Sequence, residues 1–313
     1  MCLPQTSTTA PHHEATHGVT THGAATHDAA THDAATHHHH HAAGPDVGRR
    51  SFLRGGAALA AGAAVTTLGA AGAAVGTAQP ASATAGRRTR VVDLTHRFTT
   101  DFPTFTGVQP TRQDLTTFAD DGFYSQRWTF GEHTATHIDA PGHFAPGQPL
   151  VDELDPDALI APLVVVDIRR AAARDPNAEV SVDDLRRYER RHGRIPRGAL
   201  VCMDSGWSAK AGDPLAFKGG EAYPDYAFPG FSVDAAMWLA QRRDVTGIGV
   251  DTMSLDPGDS TTFPVHVEFL ATGRYGIEGV ANLSQVRRRH RTAVVGVVPW
   301  QDGSGGPCRV LAF

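Results

Sequence analysis

The segment from His133 to Phe144, which reads HTATHIDAPGHF, contains three histidines and one aspartate within eleven positions. Its β-branched threonines and the following Ala140-Pro141-Gly142 oppose a helix and favour a strand that runs into a tight turn. Because alternate residues of a strand share one face, all four groups are predicted to point the same way. These four residues are His133, His137, Asp139 and His143.

Four such side chains on one strand face need a compensating partner, because an unpaired buried polar group is costly. Neutral imidazoles and a carboxylate are ordinary ligands of divalent zinc or manganese. Alternatively, each histidine or aspartate is a hydrogen-bonded core residue or a surface residue. That reading explains any one of them but not four together. The segment therefore predicts a site for a divalent metal ion.

The chain has 313 residues and a formal net charge of −5, which gives no reason to expect binding to nucleic acid or to an anionic membrane surface. Residues 86–313 are numerous enough to form one domain with a sizeable core. Of the three cysteines, Cys2 precedes this region and Cys202 and Cys308 lie within it. The spacing contains no CxxC pair and leaves open whether these two form a disulfide.

Residues 1–48 form a low-complexity leader that contains eleven of the eighteen histidines, with Thr-His pairs repeated every five residues from His17 to His37. This leader has almost no large apolar side chains, so it is predicted to be disordered. Exposed imidazoles would suit metal capture. The alternatives are repeat expansion in an unconstrained tail and a start codon assigned too far upstream.

Residues 49–85 resemble a twin-arginine signal peptide. Arg49-Arg50 is followed by Phe52-Leu53 and then by an uncharged, Ala- and Gly-rich stretch with small-x-small cleavage sites near Ala83 and Ala85. Such a signal is an address read by the export machinery and does not anchor the chain in the membrane. The alternative is an Ala-rich helix, which leaves the arginine pair unexplained. We expect a mature domain, 86–313, outside the cytoplasmic membrane.

The mature region alternates apolar strands with helices, which predicts an α/β domain with a central mixed sheet. Continuous apolar runs are typical of strands buried on both faces, and Ser181 and Ser232 are typical helix N-caps. Short loops bring Phe105 and Trp207 to positions where they would contact a substrate, although each side chain also suits the core. The predicted strands are 90–95, 124–130, 161–168, 198–204, 245–250 and 292–298, with a further strand at 308–313. The predicted helices begin near Ser181 and Ser232, with a short one after Pro264 and another at Asn282-Leu283.

Three motifs resemble those of the metal-dependent cyclase family, which includes bacterial kynurenine formamidases (arylformamidases) and isatin hydrolases. The family signature H-x-G-T-H-x-D-x-P-x-H-F matches 133–144, and the Asp-Thr-x-Ser-x-Asp loop matches 251–256. A later histidine, a glutamate twelve residues on and an Asn-Leu pair match His266, Glu278 and Asn282-Leu283. The resemblance covers about Asp93 to Phe313.

This resemblance implies a swivelling β/β/α fold, a homodimer or larger homo-oligomer, and a role for each matched residue. His133, His137 and Asp139 would hold one divalent ion. In members with two ions, Asp139 would bridge to a second one held by His266 and Glu278. Two departures stand out. Ala135 replaces the usual glycine, and Phe105-Thr106-Gly107-Val108 replaces a Trp-Pro-Gly-Asp sequence, so a particular aromatic substrate is not implied.

The implied chemistry is hydrolysis of an amide, either an aryl formamide or a cyclic amide, by a water that zinc or manganese has acidified. His143 follows the predicted ligands closely and would transfer the proton. The alternatives are a lactonase or dehydratase that acts on a non-aromatic substrate, and an exported metal-binding protein without catalysis. The presence of His143 favours an enzyme, because a binding protein needs only the ligands.

Overall fold

The computed structural model describes residues 91–286 and 292–313. In these ranges seven strands close into a barrel in the order β12-β11-β5-β7-β9-β10-β4, because β12 pairs with both β11 and β4. The strands are β1 (Val92–Asp93), β2 (Thr111–Thr116), β3 (Ser125–Thr129), β4 (His137–Asp139), β5 (Ile160–Asp167), β6 (Glu179–Val180), β7 (Leu200–Asp204), β8 (Gly230–Phe231), β9 (Gly247–Val250), β10 (Tyr275–Glu278), β11 (Thr292–Val297) and β12 (Gly305–Ala312).

The barrel sheet is mixed. Strands β5, β7, β9 and β10 run parallel, whereas β4, β11 and β12 pair antiparallel with their neighbours. The helices are α1 (Phe118–Asp121), α2 (Arg169–Ala172), α3 (Val182–His192), α4 (Pro214–Lys218) and α5 (Val233–Arg243). The predicted α/β fold with a central mixed sheet is confirmed.

The parallel strands are buried on both faces, as their continuous apolar runs predicted. In β7, Leu200 and Cys202 belong to one core cluster. Val201 and Met203 belong to a second cluster, which includes Leu239 of α5. Strand β7 therefore separates the barrel interior from a layer that contains α3 and α5.

The two longer helices begin where their caps predicted. Ser181 Oγ accepts a hydrogen bond from the Asp184 N–H, and Ser232 Oγ accepts one from the Ala235 N–H. The short helix expected after Pro264 is a π-helical segment, His266–Leu270. The helix expected at Asn282-Leu283 is a 3₁₀ turn, Leu283–Gln285.

Sequence reasoning did not predict the hairpin formed by β2 and β3, which lies outside the barrel sheet. Strand β2 reads TRQDLT and is exposed along most of its length. We call residues 108–130 the β2–β3 arm. The sequence of β2 contains no continuous apolar run, so it did not indicate a strand.

The segment that opens the sequence analysis is less extended than predicted. Only His137–Asp139 is a strand, because Ala135 has a left-handed φ of 59° and Pro141–His143 forms a 3₁₀ turn. The prediction that one strand carries all four groups is therefore wrong. The turn at Ala135 and the turn after Asp139 bring the histidines together instead.

The predicted leader and signal peptide lie outside the described residues. Among the helices of the described part of the chain, none has the length and apolar character needed to cross a membrane. Cys202 and Cys308 are both buried and both free, so they do not form the disulfide that the sequence left open.

Candidate metal centre

Strand β4 lies between β10 and β12, at the seam where the barrel closes. Glu278 and Pro307 are the Cα partners of His137, and Gly276 and Gly305 are those of Asp139. The pairing of β4 with β10 brings Glu278 beside His137, although 141 positions separate them in the chain. The seam therefore explains how residues from distant motifs reach one site.

The first group of candidate ligands surrounds one oxygen of Asp139. His133 Nδ1 lies 2.6 Å from Asp139 Oδ1, and His137 Nε2 lies 3.4 Å from the same oxygen. One ligand atom from each of these three residues lies within 4.8 Å of the others.

The second group surrounds the other oxygen of the same carboxylate. His266 Nε2 lies 3.5 Å from Asp139 Oδ2 and 3.0 Å from Glu278 Oε1. Ligand atoms of Asp139, His266 and Glu278 also lie within 4.8 Å of one another. Glu278 Oε2 of the second group lies 3.3 Å from His137 Nε2 of the first. The two groups are therefore neighbours, and they share the Asp139 carboxylate.

The chemistry of these residues fits a divalent cation. His137 Nε2 and Asp139 Oδ2 are both buried, and neither has a hydrogen-bond partner among the described residues. Orphaned buried polar atoms are rare because they are costly. Imidazole nitrogens and carboxylate oxygens are the donors that zinc and manganese accept. The centre thus combines a suitable set of donors with two atoms that need a partner.

The two buried carboxylates of Asp139 and Glu278 stabilise positive charge on the histidines beside them. Burial opposes the charged form of His137, but Asp139 and Glu278 outweigh it and raise the pKa of His137 to about 9. The same balance raises the pKa of His266 well above its usual range. Burial favours the neutral carboxyl of Asp139, yet its histidine partners hold its pKa well below the usual value. Protons on imidazoles supply this positive charge in the ion-free protein, and a cation would displace them.

Backbone and carboxylate acceptors orient two of the imidazoles. His137 Nδ1 donates to the Ala135 carbonyl at 3.0 Å, and His266 Nδ1 donates to Asp256 Oδ2 at 2.5 Å. Each Nε2 is therefore directed into the centre, an arrangement that is general for metal-binding histidines. Sequence reasoning placed Asp256 in a motif but gave it no role. The signal was a carboxylate ten residues before His266.

Asp256 is itself held rigidly. It is fully buried, and it accepts hydrogen bonds from the backbone N–H groups of Val265 and His266, at 2.7 and 3.2 Å. These contacts fix the start of the π-helical segment as well as the orientation of the His266 ring.

His143 stacks on His133, with ring centroids 3.9 Å apart and an interplanar angle of 22°. Its centroid lies 6.3 Å from that of His266, so the ring adjoins both groups of ligands. Burial lowers the pKa of His143 to about 2, which leaves the imidazole neutral at physiological pH. A neutral imidazole has one nitrogen without a proton, and the ring stacked on His133 places it beside both ligand groups.

A cleft beside the centre has an aromatic wall. Phe105, whose contact with substrate stays a prediction, is one of its lining residues. Trp207 is not: it is 5% exposed, and its indole N–H donates to the carbonyl of Phe217, which does line the cleft. The other lining residues are Phe102, Pro103, Thr104, His133, Ala135, His137, Met253, Glu278 and Gly279.

Comparison with known proteins gives a consistent result. The family model described as Putative cyclase matches residues 92–257. An isatin hydrolase from Roseibium aggregatum is 30% identical over 204 residues, which is 62% of this chain and 77% of the relative. A kynurenine formamidase from Salinibacter ruber is 30% identical over 148 residues, 47% of this chain and 60% of the relative.

Solved structures agree with these relatives. Isatin hydrolase A from Ralstonia solanacearum has a TM-score of 0.67 at 34% identity, and the alignment covers 71% of this chain and 91% of that one. An isatin hydrolase bound to the product analogue thioisatinate has a TM-score of 0.67 at 27% identity, with 71% and 91% coverage.

Proposed function

Because this chain belongs to the cyclase family, we propose that it is a metal-dependent hydrolase that cleaves the C–N bond of an aryl formamide or a cyclic amide. The observation that carries the proposal is a buried cluster of three imidazoles and two carboxylates. Two of its atoms, His137 Nε2 and Asp139 Oδ2, have no hydrogen-bond partner among the described residues. His143 and an aromatic cleft adjoin that cluster.

His133, His137 and Asp139 would hold one ion, and Asp139, His266 and Glu278 a second. We propose zinc or manganese, since both accept this set of nitrogen and oxygen donors. A divalent cation supplies Lewis acidity toward a carbonyl oxygen and lowers the pKa of water.

The protein's own contribution is orientation and proton transfer. The backbone carbonyl of Ala135 and the carboxylate of Asp256 keep two ligand rings aimed at the centre. His143 accepts the proton of the attacking water and returns it to the leaving nitrogen, a role that histidine commonly fills in catalysis.

The cleft favours a substrate with an aromatic ring. Phe102, Phe105 and Phe217 line it together with His133, His137 and Glu278 of the metal centre. Aromatic side chains provide large apolar contact areas and prefer tilted or edge-on packing with other rings. A relative named isatin hydrolase has been solved with thioisatinate, which is consistent with an aromatic ligand for this chain.

The test combines metal analysis with a substrate panel. Full-length protein and an Asp139→Ala variant share the histidine-rich leader, so the difference in their bound metal measures the centre alone. We expect one or two ions per chain in that difference. The panel contains formyl anilides, isatin and small lactones. Hydrolysis of an amide member supports the proposal, and no turnover by fully metal-loaded protein contradicts it in favour of a binding role.

We also propose that the protein forms a homodimer through the β2–β3 arm. Six of the twelve large apolar side chains that are exposed in the described residues lie between Val108 and Phe130. A two-stranded hairpin alone is marginally stable in water. The arm carries Arg112 and Arg127 as well as Asp114 and Asp120, so two copies related by a twofold axis can match opposite charges.

Light scattering during size-exclusion chromatography tests the dimer. Phe118 and Phe123, which are 74% and 57% exposed, are each replaced by aspartate. We expect the double variant to elute as a monomer. Leu215→Asp, at a similarly exposed apolar residue outside the arm, is the control and should remain dimeric. A wild-type monomer, or a double variant that still dimerises, contradicts this arrangement.

We propose, finally, that the chain is exported through the twin-arginine machinery. Arg49-Arg50 and the uncharged stretch that follows support this location. Replacing both arginines by lysine should retain the protein in the cytoplasm in a cell-fractionation experiment, whereas replacing Arg87 and Arg88 by lysine should not. Equal export of the first variant contradicts the proposal.

A further inference from the structure

We infer that Glu132 and Ser304 are positioning residues that fix the tautomer of His133 and so direct its Nδ1 into the metal centre. The inference rests on the proposed metal centre and adds two residues to it. Neither residue belongs to the candidate ligand groups, and sequence reasoning assigned neither of them a role.

A continuous set of hydrogen bonds connects the three side chains. Ser304 Oγ donates to Glu132 Oε2 at 2.6 Å. Ser304 Oγ also lies 2.9 Å from His133 Nε2. The backbone N–H of Ser304 lies 3.3 Å from the same oxygen of Glu132, which holds the carboxylate against the serine.

The direction of these bonds assigns the proton on the His133 ring. A serine hydroxyl has one proton, and here it is donated to Glu132, so Ser304 Oγ can only accept from His133 Nε2. His133 therefore carries a proton on Nε2, which leaves Nδ1 as the ring atom that can bind an ion. In the ion-free protein a proton joins Nδ1 to Asp139 Oδ1 at 2.6 Å; a bound metal ion would displace that proton and use the Nδ1 lone pair.

The backbone around Ser304 is shaped for this contact. Gly305 lies so close to His133 that an added Cβ would be 2.7 Å from the ring carbon Cε1 and 2.4 Å from the Ile138 carbonyl oxygen. The carbonyl of Ser304 accepts a hydrogen bond from the Ala140 N–H at 3.0 Å. Ser304 and the first residue of β12 are thus held against the end of β4.

Residues that orient a metal-binding histidine commonly raise affinity for the metal by about 10- to 100-fold. The Glu132–Ser304 pair is expected to act in this range at the first ion position. Without the serine, the His133 ring can adopt the other tautomer or rotate away from Asp139. Glu132 acts only through Ser304, so its effect should vanish when the serine is removed.

The test is a double-mutant cycle read by metal affinity. Ser304→Ala, Glu132→Gln and the double variant are titrated with Zn²⁺ in competition with a chromogenic chelator. All are full-length proteins, and an Asp139→Ala variant measures the contribution of the leader. Ser125→Ala and Glu153→Gln are matched controls, because these side chains also make hydrogen bonds but lie away from the centre. The absorption spectrum of the Co²⁺-loaded proteins reports ligand geometry independently of activity.

Ser304→Ala should lower affinity about 10- to 100-fold and alter the Co²⁺ spectrum. Glu132→Gln should lower affinity less, and the double variant should match Ser304→Ala alone, which is the non-additivity expected of one connected unit. Both controls should match wild type. Unchanged affinity and spectrum in Ser304→Ala, or additive losses, would overturn the inference. If the wild type binds no more metal than Asp139→Ala, it is the proposed metal centre that fails.

Discussion

Ala135 adopts a backbone conformation that L residues with a side chain disfavour. Its φ is 59°, and its carbonyl oxygen turns toward His137 Nδ1, from which it accepts a hydrogen bond of 3.0 Å. The departure from the usual glycine, noted from the sequence, therefore falls where a left-handed residue is required. The Cβ of an alanine in this region costs about 1–2 kcal/mol.

Ala135→Gly tests this cost. Glycine relieves the strain, which stabilises the fold. It also destabilises the fold in two ways: its extra unfolded-state entropy costs about 0.5–1 kcal/mol, and the lost burial of one methyl costs about 0.8 kcal/mol. We expect the free energy of unfolding to change by less than about 0.5 kcal/mol as a result. Ala199→Gly is the control, because Ala199 is fully buried and lacks a left-handed φ. It should lose about 1–2 kcal/mol in urea unfolding. Equal losses would exclude strain at Ala135.

The role of His143 predicts a separation of metal binding from turnover. His143→Ala should retain wild-type metal content, because the ring stacks on His133 but belongs to neither candidate ligand group. Its kcat should fall by about two to four orders of magnitude. His192→Ala, on an exposed helix end, should be active. A His143→Ala enzyme at wild-type rate, or one that has lost its metal, contradicts proton transfer by this residue.

Sequence patterns sufficed for residues that lie close together or match a motif. His133, His137 and Asp139 were identified because seven positions contain all three. Ser304 was not, because 171 positions separate it from His133 and no local pattern relates them. Contacts of this kind depend on which strands pair with each other. No short segment of the sequence indicates that pairing.

At the level of elements, the sequence predicted the strands of the core but not the closure of the barrel. The interior strands β5, β7 and β9 have long apolar runs, which are a strong signal. The seam consists of β4, with three residues, and the glycine-rich start of β12. Short strands with glycines carry almost no strand signal, although here they position the site.

Gly305→Ala tests the seam. An added Cβ would lie 2.4 Å from the Ile138 carbonyl oxygen and 2.7 Å from His133 Cε1. Since neither can move freely, we expect a loss of about 1–3 kcal/mol in the free energy of unfolding, as in other overpacked sites. Weaker metal binding should accompany it. Circular dichroism during urea unfolding, together with a metal titration, measures both effects.

Gly296→Ala, in the adjacent strand β11, is the matched control. The nearest atom to its added Cβ is the Arg309 carbonyl oxygen at 3.8 Å, an ordinary contact. This variant should be neutral or stabilised by up to about 1 kcal/mol, since alanine restricts the unfolded chain. Similar losses at both glycines would mean that the seam is not specially constrained.

For the whole molecule, the metal centre couples the fold to ligand binding. Asp139, Glu278 and His266 are all nearly inaccessible to solvent, and they connect β4, β10 and the π-helical segment. An ion that binds only the folded state stabilises it by about 4 kcal/mol at a thousandfold excess over Kd. Chelation should therefore lower Tm by roughly 8–16 °C for a domain of this size.

Scanning calorimetry with and without chelator measures this shift, and restored Zn²⁺ should reverse it. Asp139→Ala is the control, because it retains the leader histidines but lacks the shared carboxylate. Its Tm should not respond to chelator. A wild-type Tm that is insensitive to chelator would separate metal binding from folding and contradict a buried ion.

The size of this shift should increase with pH. In the ion-free protein, His137 has a pKa of about 9 in the folded state, above the usual value of about 6.5 in the unfolded chain. Its proton therefore stabilises the ion-free fold fully below about pH 6.5, and this contribution is lost as the pH rises through 9. A bound ion replaces the proton on His137, so the stability of the loaded protein lacks this dependence on pH. The difference in Tm between loaded and chelated protein should thus be larger at pH 9 than at pH 6.5. If the Tm difference instead shrinks as the pH rises, the prediction is contradicted. Repulsion between the carboxylates of the ion-free centre is then relieved by something other than protons on these imidazoles.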